Sequence, residues 1–413
     1  MPRILLLLPT TTYRTEAFLT AARQLGVDVT VASEEPSTLA NLNPAGLLTV
    51  SFDKPEQAAS IIADFARSYP VDAVIPVDEQ TAIAAAMVAA SLKLRHNSVE
   101  SALAAGNKHQ MRELLSRAGV PVPGYRLLSL SDDAALVARS LRYPCVVKPL
   151  ILSASRGVIR ADTHEEFVQA FRRVAAILSA PEIESKGTSA RQVLVEDFIP
   201  GKEVALEGLL SLGKLQVLAL FDKPDALDGP FFEETIYVTP SIFRADIQTA
   251  VIDCTARATE ALGLTEGPVH AELRVNQAGP CVLEIAARSI GGRCARALRF
   301  GTGVSLEELI LRHALGMNVA NMQREKRASG VMMIPIPQKG ILVRVEGLSE
   351  ARSVPGIDEI SITAHVGQTL IPLPEGSQYL GFIFARGYDP DAVVASLRNA
   401  HGKLRFDIAA SRW

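Results

Sequence analysis

The sequence predicts a soluble protein of several domains that combines α/β and α+β folds. Its length is the first observation, because 413 residues exceed the ~100–200 residues of one domain. The second observation is that short apolar strands alternate with amphipathic helices in the first hundred residues. The third is charge: 42 Lys and Arg residues against 45 Asp and Glu residues give no broad basic surface. Nucleic acids and anionic membranes are therefore not expected as partners.

Residues 1–100 are predicted to form a parallel α/β domain. Apolar strands are expected at residues 4–8, 27–32 and 71–77, with helices at 15–25 and 56–68 between them. Because these strands are continuously apolar, the sheet is expected to be parallel and covered by helices on both faces. No G-x-G-x-x-G or Walker pattern is present, so a bound nucleotide must be held in another way.

The cysteines and the apolar runs indicate a cytoplasmic protein. Its four cysteines form no CxxC pair and no zinc spacing, so reduced thiols are expected. Cys294 follows Arg293, which could lower the pKa of its thiol, but a buried inert thiol is the favoured interpretation. The apolar run at residues 4–8 is shorter than the ~7–15 residues of a secretory signal core. The run at 82–92 is about half of a membrane-spanning helix of ~20 residues.

A predicted hairpin, with strands at 269–275 and 281–286, is the most informative local feature. Alternation places His270, Glu272 and Arg274 on one face. If the loop comprises residues 276–280, Glu272 lies directly opposite Glu284. Like charges in this position are unfavourable, and a divalent cation would offset them. The alternative is a pair of surface glutamates on an edge hairpin.

Three lysines and a small-residue loop favour a phosphate site. Lys148 ends an apolar strand, where a cation needs an anionic partner. Lys108 begins a helix, whose N-terminus suits phosphate, and Lys223 ends another strand. The loop at 153–157 offers hydroxyls and backbone N–H groups. Taken alone, each lysine also fits a solvated side chain, and the loop fits an ordinary turn.

In their order and spacing, these residues resemble the ATP-grasp carboxylate–amine ligases. The resemblance covers about residues 100–300 and includes Lys108, Lys148-Pro149, the segment at 195–203, Glu272, Glu284 and Arg288. More narrowly, the segments at 229–235, 267–272 and 378–387 resemble bacterial L-amino-acid ligases, which make dipeptides. The resemblance implies an ATP-grasp domain at 101–323 with a mobile lid at about 145–210, followed by a small α+β domain at 324–413.

The resemblance also implies how ATP would be held. Glu196 and the backbone of Phe198 and Ile199 would form the adenine strap, and Glu203 would take the ribose hydroxyls. The lysines and the loop would contact the phosphates. The implied ATP-binding residues are Lys108, Lys148, Ser153, Ser155, Gly157, Glu196, Phe198, Ile199, Glu203 and Lys223.

Metal and catalytic roles follow from the same resemblance. Glu272 and Glu284 would ligate Mg²⁺, or alternatively Mn²⁺. Arg288 would clamp the carboxylate being activated, and Gly291 and Gly292 would bring the backbone close to the developing oxyanion. Many family members carry asparagine where this chain has Ala286, so a second metal ion would depend more on Glu284 or on water.

The implied reaction is ATP-dependent formation of an amide bond between an amino-acid carboxylate and an amine through an acyl phosphate. Phe231, Phe232, Glu233 and Glu234, together with Arg288, would border the substrate pocket; the two phenylalanines could instead pack on the core. His270 is expected to be structural, and no general base is identified. A homodimer is expected. The alternatives are another ATP-grasp carboxylate–amine ligase of specialised metabolism and an inactive ATP-binding regulator, which Ala286 would favour.

Overall fold

The computed structural model describes residues 1–10, 12–184 and 187–410. The N-terminal region confirms the predicted parallel α/β domain, with a four-stranded sheet of order β3-β2-β1-β4. Helix α1 ends at Gly26, which adopts the left-handed conformation with φ 65°. The elements are β1 (Arg3–Leu7), α1 (Thr15–Leu25), β2 (Asp28–Ser33), β3 (Leu47–Thr49), α2 (Pro55–Ser68), β4 (Ala73–Pro76) and α3 (Ala82–Ser91).

The strand order reverses at the centre of this sheet. From β1 the chain proceeds to β2 and β3 on one side, and β4 then pairs with the other side of β1. In open parallel sheets, ligands bind outside the carboxyl ends of the strands at such a reversal. The loop after β1 carries Arg14, and the loop after β4 carries Asp78 and Glu79.

Two capped helices connect this domain to the centre of the chain. Helix α4 (Val99–Gly106) begins after Ser98, whose side chain accepts from Ser101 N. Helix α5 (Lys108–Arg117) begins after Asn107, which is extended and accepts from the backbone N–H groups of His109 and Gln110. Lys108 therefore stands at the first position of a helix, as predicted.

A small antiparallel sheet, the lid sheet, spans Tyr125–Asp197 with strand order β5-β8-β6-β7. Helix α7 covers it, burying Phe167, Phe171 and Val174. The lid sheet starts at Tyr125, ahead of the predicted lower bound of 145, and ends at Asp197, ahead of the predicted upper bound of 210. Strand β5 belongs to this sheet, whereas β9 belongs to another. Its elements are β5 (Tyr125–Ser129), α6 (Ala134–Ala138), β6 (Cys145–Pro149), β7 (Ile159–Ala161), α7 (His164–Leu178), α8 (Pro181–Glu184) and β8 (Gln192–Asp197).

An eight-stranded antiparallel sheet of order β13-β12-β9-β10-β11-β14-β18-β16 forms the centre of the molecule. Strands β14, β16 and β18 lie beyond residue 324, so the predicted C-terminal domain continues this sheet. The elements are β9 (Lys202–Ser211), β10 (Lys214–Asp222), β11 (Ile236–Thr239), α9 (Ala245–Ala261), β12 (Gly267–Asn276), β13 (Gly279–Ala286), α10 (Leu306–Ala314), β14 (Ala328–Ile334), β15 (Gly340–Glu346), α11 (Leu348–Arg352), β16 (Ile357–Ile362), β17 (Thr369–Leu370), β18 (Gly381–Gly387), α12 (Pro390–Lys403) and β19 (Arg405–Ala409).

The four cysteines are free thiols, as expected. Burial raises the pKa of Cys145 to about 12 and that of Cys254 and of Cys281 to about 11. Burial also raises the pKa of Cys294 far above its usual range, which supports the inert interpretation of this thiol. Within the described part of the chain, no helix is both long and apolar enough to cross a membrane.

Candidate active site

A β-bulge places the two predicted metal glutamates opposite each other. Asn276 pairs with Gly279 and Leu273 pairs with Val282, so the turn is tighter than the predicted loop at 276–280. Glu272 nevertheless pairs with Glu284, because Leu283 is an extra residue in β13. The predicted pairing of Glu272 with Glu284 is confirmed, although the bulge rather than the loop produces it.

Helix α5 brings two cations to this hairpin. Lys108 Nζ donates to the carbonyl of Leu152 at 2.9 Å and lies 3.8 Å from Glu284 Oε2. Arg112 follows one turn later and is fully buried. Its Nη2 donates to the carbonyl of Leu283, the bulged residue, and its Nε donates to Glu196 Oε1 at 2.7 Å. Helix α5 therefore connects the hairpin to the lid sheet.

Glu196, Lys148 and Arg112 form a buried set that we call the Glu196 group. Lys148 Nζ lies 2.6 Å from Glu196 Oε2, while Arg112 holds Oε1. Burial alone would raise the pKa of Glu196, but the two cations lower it below its usual range. Burial lowers the pKa of Lys148, against the effect of Glu196. Each oxygen of Glu196 therefore has a cationic partner, and its contact with adenine stays a prediction.

Arg274 orders the predicted adenine strap. Its Nη1 donates to the carbonyl of Ile199 at 3.0 Å, and its Nε donates to Glu203 Oε2 at 3.3 Å. Its guanidinium carbon lies 5.0 Å from the centre of the Phe198 ring, on which Phe232 stacks at 6.4 Å between centroids. The sequence placed Arg274 on the correct face of the hairpin but assigned it no role.

The predicted phosphate loop lies against the C-terminal region. Ser155 and Gly157 both have positive φ, 54° and 74°, and the chain turns at Ser153, whose carbonyl accepts from Arg156 N at 3.2 Å. Gly157 N donates to the carbonyl of Pro374 at 2.9 Å. A Cβ at Gly157 would lie 2.8 Å from Pro149, so this position requires glycine.

Glu375 fixes the same part of the lid sheet from outside. Arg173 on α7 donates to both oxygens of Glu375, at 2.5 and 2.9 Å. Arg156 Nε donates to the carbonyl of Glu375 at 2.9 Å. These contacts join the lid sheet to the C-terminal region.

Lys223 lies among three carboxylates, which together form the Lys223 group. Its ammonium is 2.7 Å from Glu203, 2.5 Å from Glu234 and 3.0 Å from Glu272. One oxygen of each glutamate lies within 4.8 Å of the others, a spacing that could hold a metal ion. The lysine ammonium neutralises part of this charge, and Glu272 belongs both to this cluster and to the facing pair with Glu284.

The protonation of the Lys223 group is set by its environment. Burial, together with the nearby Glu272, raises the pKa of Glu234 to about 7. Burial acts in the same direction on Glu272, but Lys223 and His270 hold its pKa well below the usual range. Tyr237 donates to Glu234 at 2.7 Å and contacts Glu272 at 3.1 Å. Tyr237 is a site residue that the sequence did not indicate.

His270, which the sequence led us to expect as a structural histidine, lies between two carboxylates. Its Nδ1 contacts Glu207, and its Nε2 lies 3.3 Å from Glu272 Oε1. Although burial alone lowers the pKa of His270, Glu207 and Glu272 raise it to about 9. An imidazolium cannot accept a proton, so at neutral pH His270 is no base. Glu207 also accepts from Ile290 N at 3.1 Å, which positions the following glycine loop.

Arg288 meets the edge of the N-terminal sheet where the strand order reverses. Its Nε lies 3.0 Å from Glu79 Oε2. Burial raises the pKa of Glu79; among the charges that act on it, Arg288 lowers the pKa, Glu284 raises it and Lys108 lowers it. The predicted clamp, the predicted metal ligand and a predicted phosphate-binding lysine are therefore close enough to act on one carboxyl group.

Arg14 ties this edge to the loop after Arg288. Its Nη1 donates to the carbonyl of Val77 at 2.9 Å and its Nη2 to Ser289 Oγ at 2.6 Å. The sequence analysis missed Arg14 and Glu79. The strand reversal between β1 and β4 is the signal that could have found them, because both follow the carboxyl ends of those strands.

The predicted glycine loop is compact. Gly292 has φ 60°, and a Cβ there would lie 3.3 Å from the Phe382 ring. A Cβ at Gly291 would lie 3.9 Å from Arg288 Nη1. The loop thus keeps its backbone beside the arginine; contact with an oxyanion stays a prediction.

The four consecutive residues predicted to border the substrate, 231–234, lie in different surroundings. Phe231 bridges to Ile159 of the lid sheet, and the Arg173 guanidinium lies 5.0 Å from its ring. Phe232 stacks on the strap. Glu234 belongs to the Lys223 group, whereas Glu233 is half-buried, and its carboxylate accepts from the backbone N–H of Ile336. Glu234 is therefore the predicted substrate residue that lies beside Glu272.

Mg²⁺ fits the facing pair of carboxylates. Glu272 and Glu284 supply hard oxygen atoms from neighbouring strands, and the remaining ligands could come from phosphate and water. Ala286 is buried opposite His270 in the strand ladder and offers no ligand atom.

Family models match the chain in three consecutive segments. The model of the ATP-grasp N-terminal domain matches residues 19–95, and that of the ATP-grasp domain matches residues 141–297. The model of L-amino acid ligase C-terminal domain 2 matches residues 332–409. The order of these segments agrees with the three regions of the fold.

Named relatives and a solved structure agree with these matches. The chain is 26% identical to alanine–anticapsin ligase of Bacillus subtilis, over 63% of this chain and 57% of that protein. It is 28% identical to dapdiamide A synthase of Enterobacter agglomerans, over 65% of this chain and 63% of that protein. Both matches span less than two thirds of the relative. The crystal structure of L-amino acid ligase from Bacillus licheniformis has a TM-score of 0.84, with 25% identity over 99% of each chain. The chain therefore contains an ATP-grasp domain, preceded by an ATP-grasp N-terminal domain and followed by an L-amino acid ligase C-terminal domain, and it is similar in fold to L-amino acid ligase.

Proposed function

We propose that this protein joins the carboxylate of one amino acid to the amine of a second amino acid or a related amine, with cleavage of ATP to ADP and phosphate. The observation that carries this proposal is the position of Arg288 beside Glu79, a carboxyl group on whose pKa Lys108 and Glu284 also act. A guanidinium at this place suits a carboxylate that must approach the terminal phosphate of ATP.

The proposed reaction has two steps. A carboxylate oxygen attacks the γ-phosphorus of ATP, the bond from that phosphorus to the ADP oxygen breaks, and an acyl phosphate forms. The amine nitrogen then attacks the carbonyl carbon, the carbon–oxygen bond to phosphate breaks, and phosphate leaves. The amine loses its proton to solvent or to a base. Activation is required because a free carboxylate would have to expel oxide.

The protein's part in the first step is to gather positive charge. Both reactants are anions, so their approach needs cations placed in advance. Lys108, Lys148 and Arg288 would supply them around the phosphates and the carboxylate. Mg²⁺ held by Glu272 and Glu284 would withdraw charge from the phosphate oxygens.

Exclusion of water is the second requirement, because an acyl phosphate hydrolyses readily. The lid sheet contacts the loop that precedes β11: Arg160 N donates to the carbonyl of Pro230 at 2.9 Å, and Arg160 Nη1 donates to that of Asp228 at 2.6 Å. We propose that these contacts close the site over the activated carboxylate.

The names of the relatives support amino acids as substrates. Alanine–anticapsin ligase and dapdiamide A synthase are similar over 63% and 65% of this chain. We propose that the carboxylate substrate lies between Arg288 and the Lys223 group, and that the amine enters from the N-terminal domain near Glu79.

The test is a phosphate-release screen over pairs of amino acids, with mass detection of the amide. We expect phosphate and ADP in equal amounts only when a carboxylate donor and an amine acceptor are both present. Arg288→Met serves as the matched negative control, because it keeps an unbranched side chain and removes the guanidinium and its charge. Tight ATP binding with no turnover across the full panel would instead favour an inactive ATP-binding regulator.

A further inference from the structure

Arg112 is a buried cation to which the proposed chemistry gives no role. It lies on α5, its side chain is fully buried, and Lys108 lies one turn before it on the same face. Burial of a guanidinium is costly unless strong partners satisfy it. Its two oxygen acceptors, Glu196 and the Leu283 carbonyl, therefore indicate its role, while its Nη1 donates to the Met111 sulfur at 3.6 Å.

The first consequence concerns the charge of Lys148. Arg112 and Lys148 share the single carboxylate of Glu196, so the Glu196 group holds two cations against one anion. One positive charge remains for an incoming anion. Without Arg112, Lys148 and Glu196 would form a neutral pair, and Lys148 would attract a phosphate only weakly.

The second consequence concerns the bulge. Glu284 faces Glu272 only because Leu283 is extra in β13. A bulged residue leaves the ladder, and its backbone groups need another partner. Arg112 donates to the carbonyl of Leu283 and so stabilises the conformation that presents Glu284.

We propose that Arg112 is a positioning residue that leaves Lys148 with a net positive charge for the phosphates of a nucleotide and holds the Leu283 bulge that directs Glu284 towards Glu272. This inference rests on the proposed nucleotide site and names one residue that prepares both halves of it. Arg112 contacts neither substrate nor metal; it acts through Glu196, Lys148 and Leu283.

The first experiment separates charge from structure. The full chain, Arg112→Met and the double variant Arg112→Met/Glu196→Gln are titrated with ATP and with adenosine. We expect Arg112→Met to weaken ATP binding about tenfold or more, because Lys148, neutralised by Glu196, loses its charge-assisted contact with the phosphates. Adenosine has no phosphates, so its binding should change less than about threefold. The double variant removes the carboxylate that neutralises Lys148, so its ATP affinity should return to within about threefold of the wild type.

A matched control is available on the same helix. Arg117 is also on α5, but its side chain is 72% exposed and pairs with Glu113 at 3.5 Å. Arg117→Met should leave both affinities unchanged. An equal loss of ATP and adenosine binding in Arg112→Met, or no recovery in the double variant, would show that Arg112 is only structural.

The second experiment uses Mn²⁺ as the probe, measured by electron paramagnetic resonance in the presence of ADP. Arg112→Lys keeps the charge but cannot reach both Glu196 and Leu283. We expect it to retain the ratio of ATP to adenosine affinity and to weaken Mn²⁺ binding about tenfold. Because the effect passes through Glu284, Arg112→Lys should add no further loss to Glu284→Gln. Additive losses would overturn the role of the bulge.

These outcomes distinguish the inference from the function it rests on. If the wild-type chain binds no ATP, the proposed function fails. If the wild type binds ATP and the Arg112 variants bind it equally well, only the role of Arg112 fails. If the circular dichroism spectrum shows that Arg112→Met does not fold, Arg112→Lys and the double variant decide the question. A lower ratio of ATP affinity to adenosine affinity in Arg112→Lys than in the wild type contradicts the proposal.

Discussion

The Glu196 group and the Lys223 group are both buried and both pair lysine with glutamate, but two cations share one carboxylate in the first and three carboxylates share one lysine in the second. In the first, Arg112 and Lys148 enclose Glu196. In the second, Lys223 lies among Glu203, Glu234 and Glu272. A buried group with surplus positive charge can accept an anion, and one with surplus carboxylates can accept a cation. The comparison teaches that the balance of carboxylates and cations around a buried lysine decides whether the whole group favours an anion or a cation.

The largest expected effect comes from breaking the Lys223 group. Lys223→Met would leave three buried carboxylates without their shared cation. We expect the free energy of unfolding to fall by about 3–5 kcal/mol at neutral pH, as when one partner of a buried ion pair is removed. Urea denaturation measures this loss. Part of it should be recovered at pH 5, where Glu234, with its pKa of about 7, is protonated; a loss independent of pH would contradict this account.

The second effect concerns Glu284, which faces Glu272 of the Lys223 group and lies 3.8 Å from Lys108. Glu284→Gln removes the charge and keeps the shape. We expect the rate of ADP formation to fall about 100- to 1000-fold, because charge stabilisation at the phosphates is lost, while the melting temperature stays near that of the wild type. The control is Glu113→Gln, which changes a partly exposed glutamate on α5. Robust turnover in Glu284→Gln would remove it from the metal site.

The third effect sharpens the comparison through pH. The pKa of His270 is raised to about 9 by Glu207 and Glu272. Its stabilising contribution is therefore complete below about pH 6.5, the unfolded value, and disappears as pH rises through about 9. We expect a loss of up to roughly 3 kcal/mol over this interval. Urea denaturation at several pH values should show this slope in the wild type and a shallower slope in His270→Gln.

The smallest effect concerns the contact that holds the lid sheet near both groups. Glu375→Gln weakens the bidentate contact with Arg173. The side chain of Glu375 is 42% exposed and that of Arg173 is 45% exposed. Because exposed ion pairs contribute only about 0–1 kcal/mol, global stability should change little. Phosphate release without an amine acceptor should rise about twofold to threefold, since the lid sheet opens more often. Unchanged uncoupled release in Glu375→Gln would show that the contact does not restrain the lid sheet.

Local patterns predicted the elements and part of the site. The alternation in β12 placed His270, Glu272 and Arg274 on one face, and their shared contacts with β9 confirm it. The pairing of Glu272 with Glu284 was right for an incomplete reason, because a bulge has no simple sequence signal. The predicted ATP and metal contacts remain predictions.

Long-range contacts explain what the sequence did not reveal. Arg14 and Glu79 reach the site across more than 200 residues of chain, from loops whose meeting point depends on strand order. Arg112 looks like an ordinary surface residue of a helix until the lid sheet and the hairpin bury it. The sheet that β9 joins is likewise set by long-range pairing, since β9 carries no local sequence mark of that sheet, and the mobile lid at about 145–210 stays a prediction.

The continuous eight-stranded sheet has a practical consequence for building chimeric enzymes. Strand β11, which follows the loop with Glu234, pairs with β14 through four residue pairs, from Ile236 opposite Met332 to Thr239 opposite Ser329. A recombination point near residue 324 would pair β11 of one parent with β14 of the other, so the side chains that face each other across this ladder would no longer match. Exchange of substrate preference between relatives should therefore transfer β11, β14 and β18 together, so that the inherited unit is a run of sheet and not a stretch of sequence.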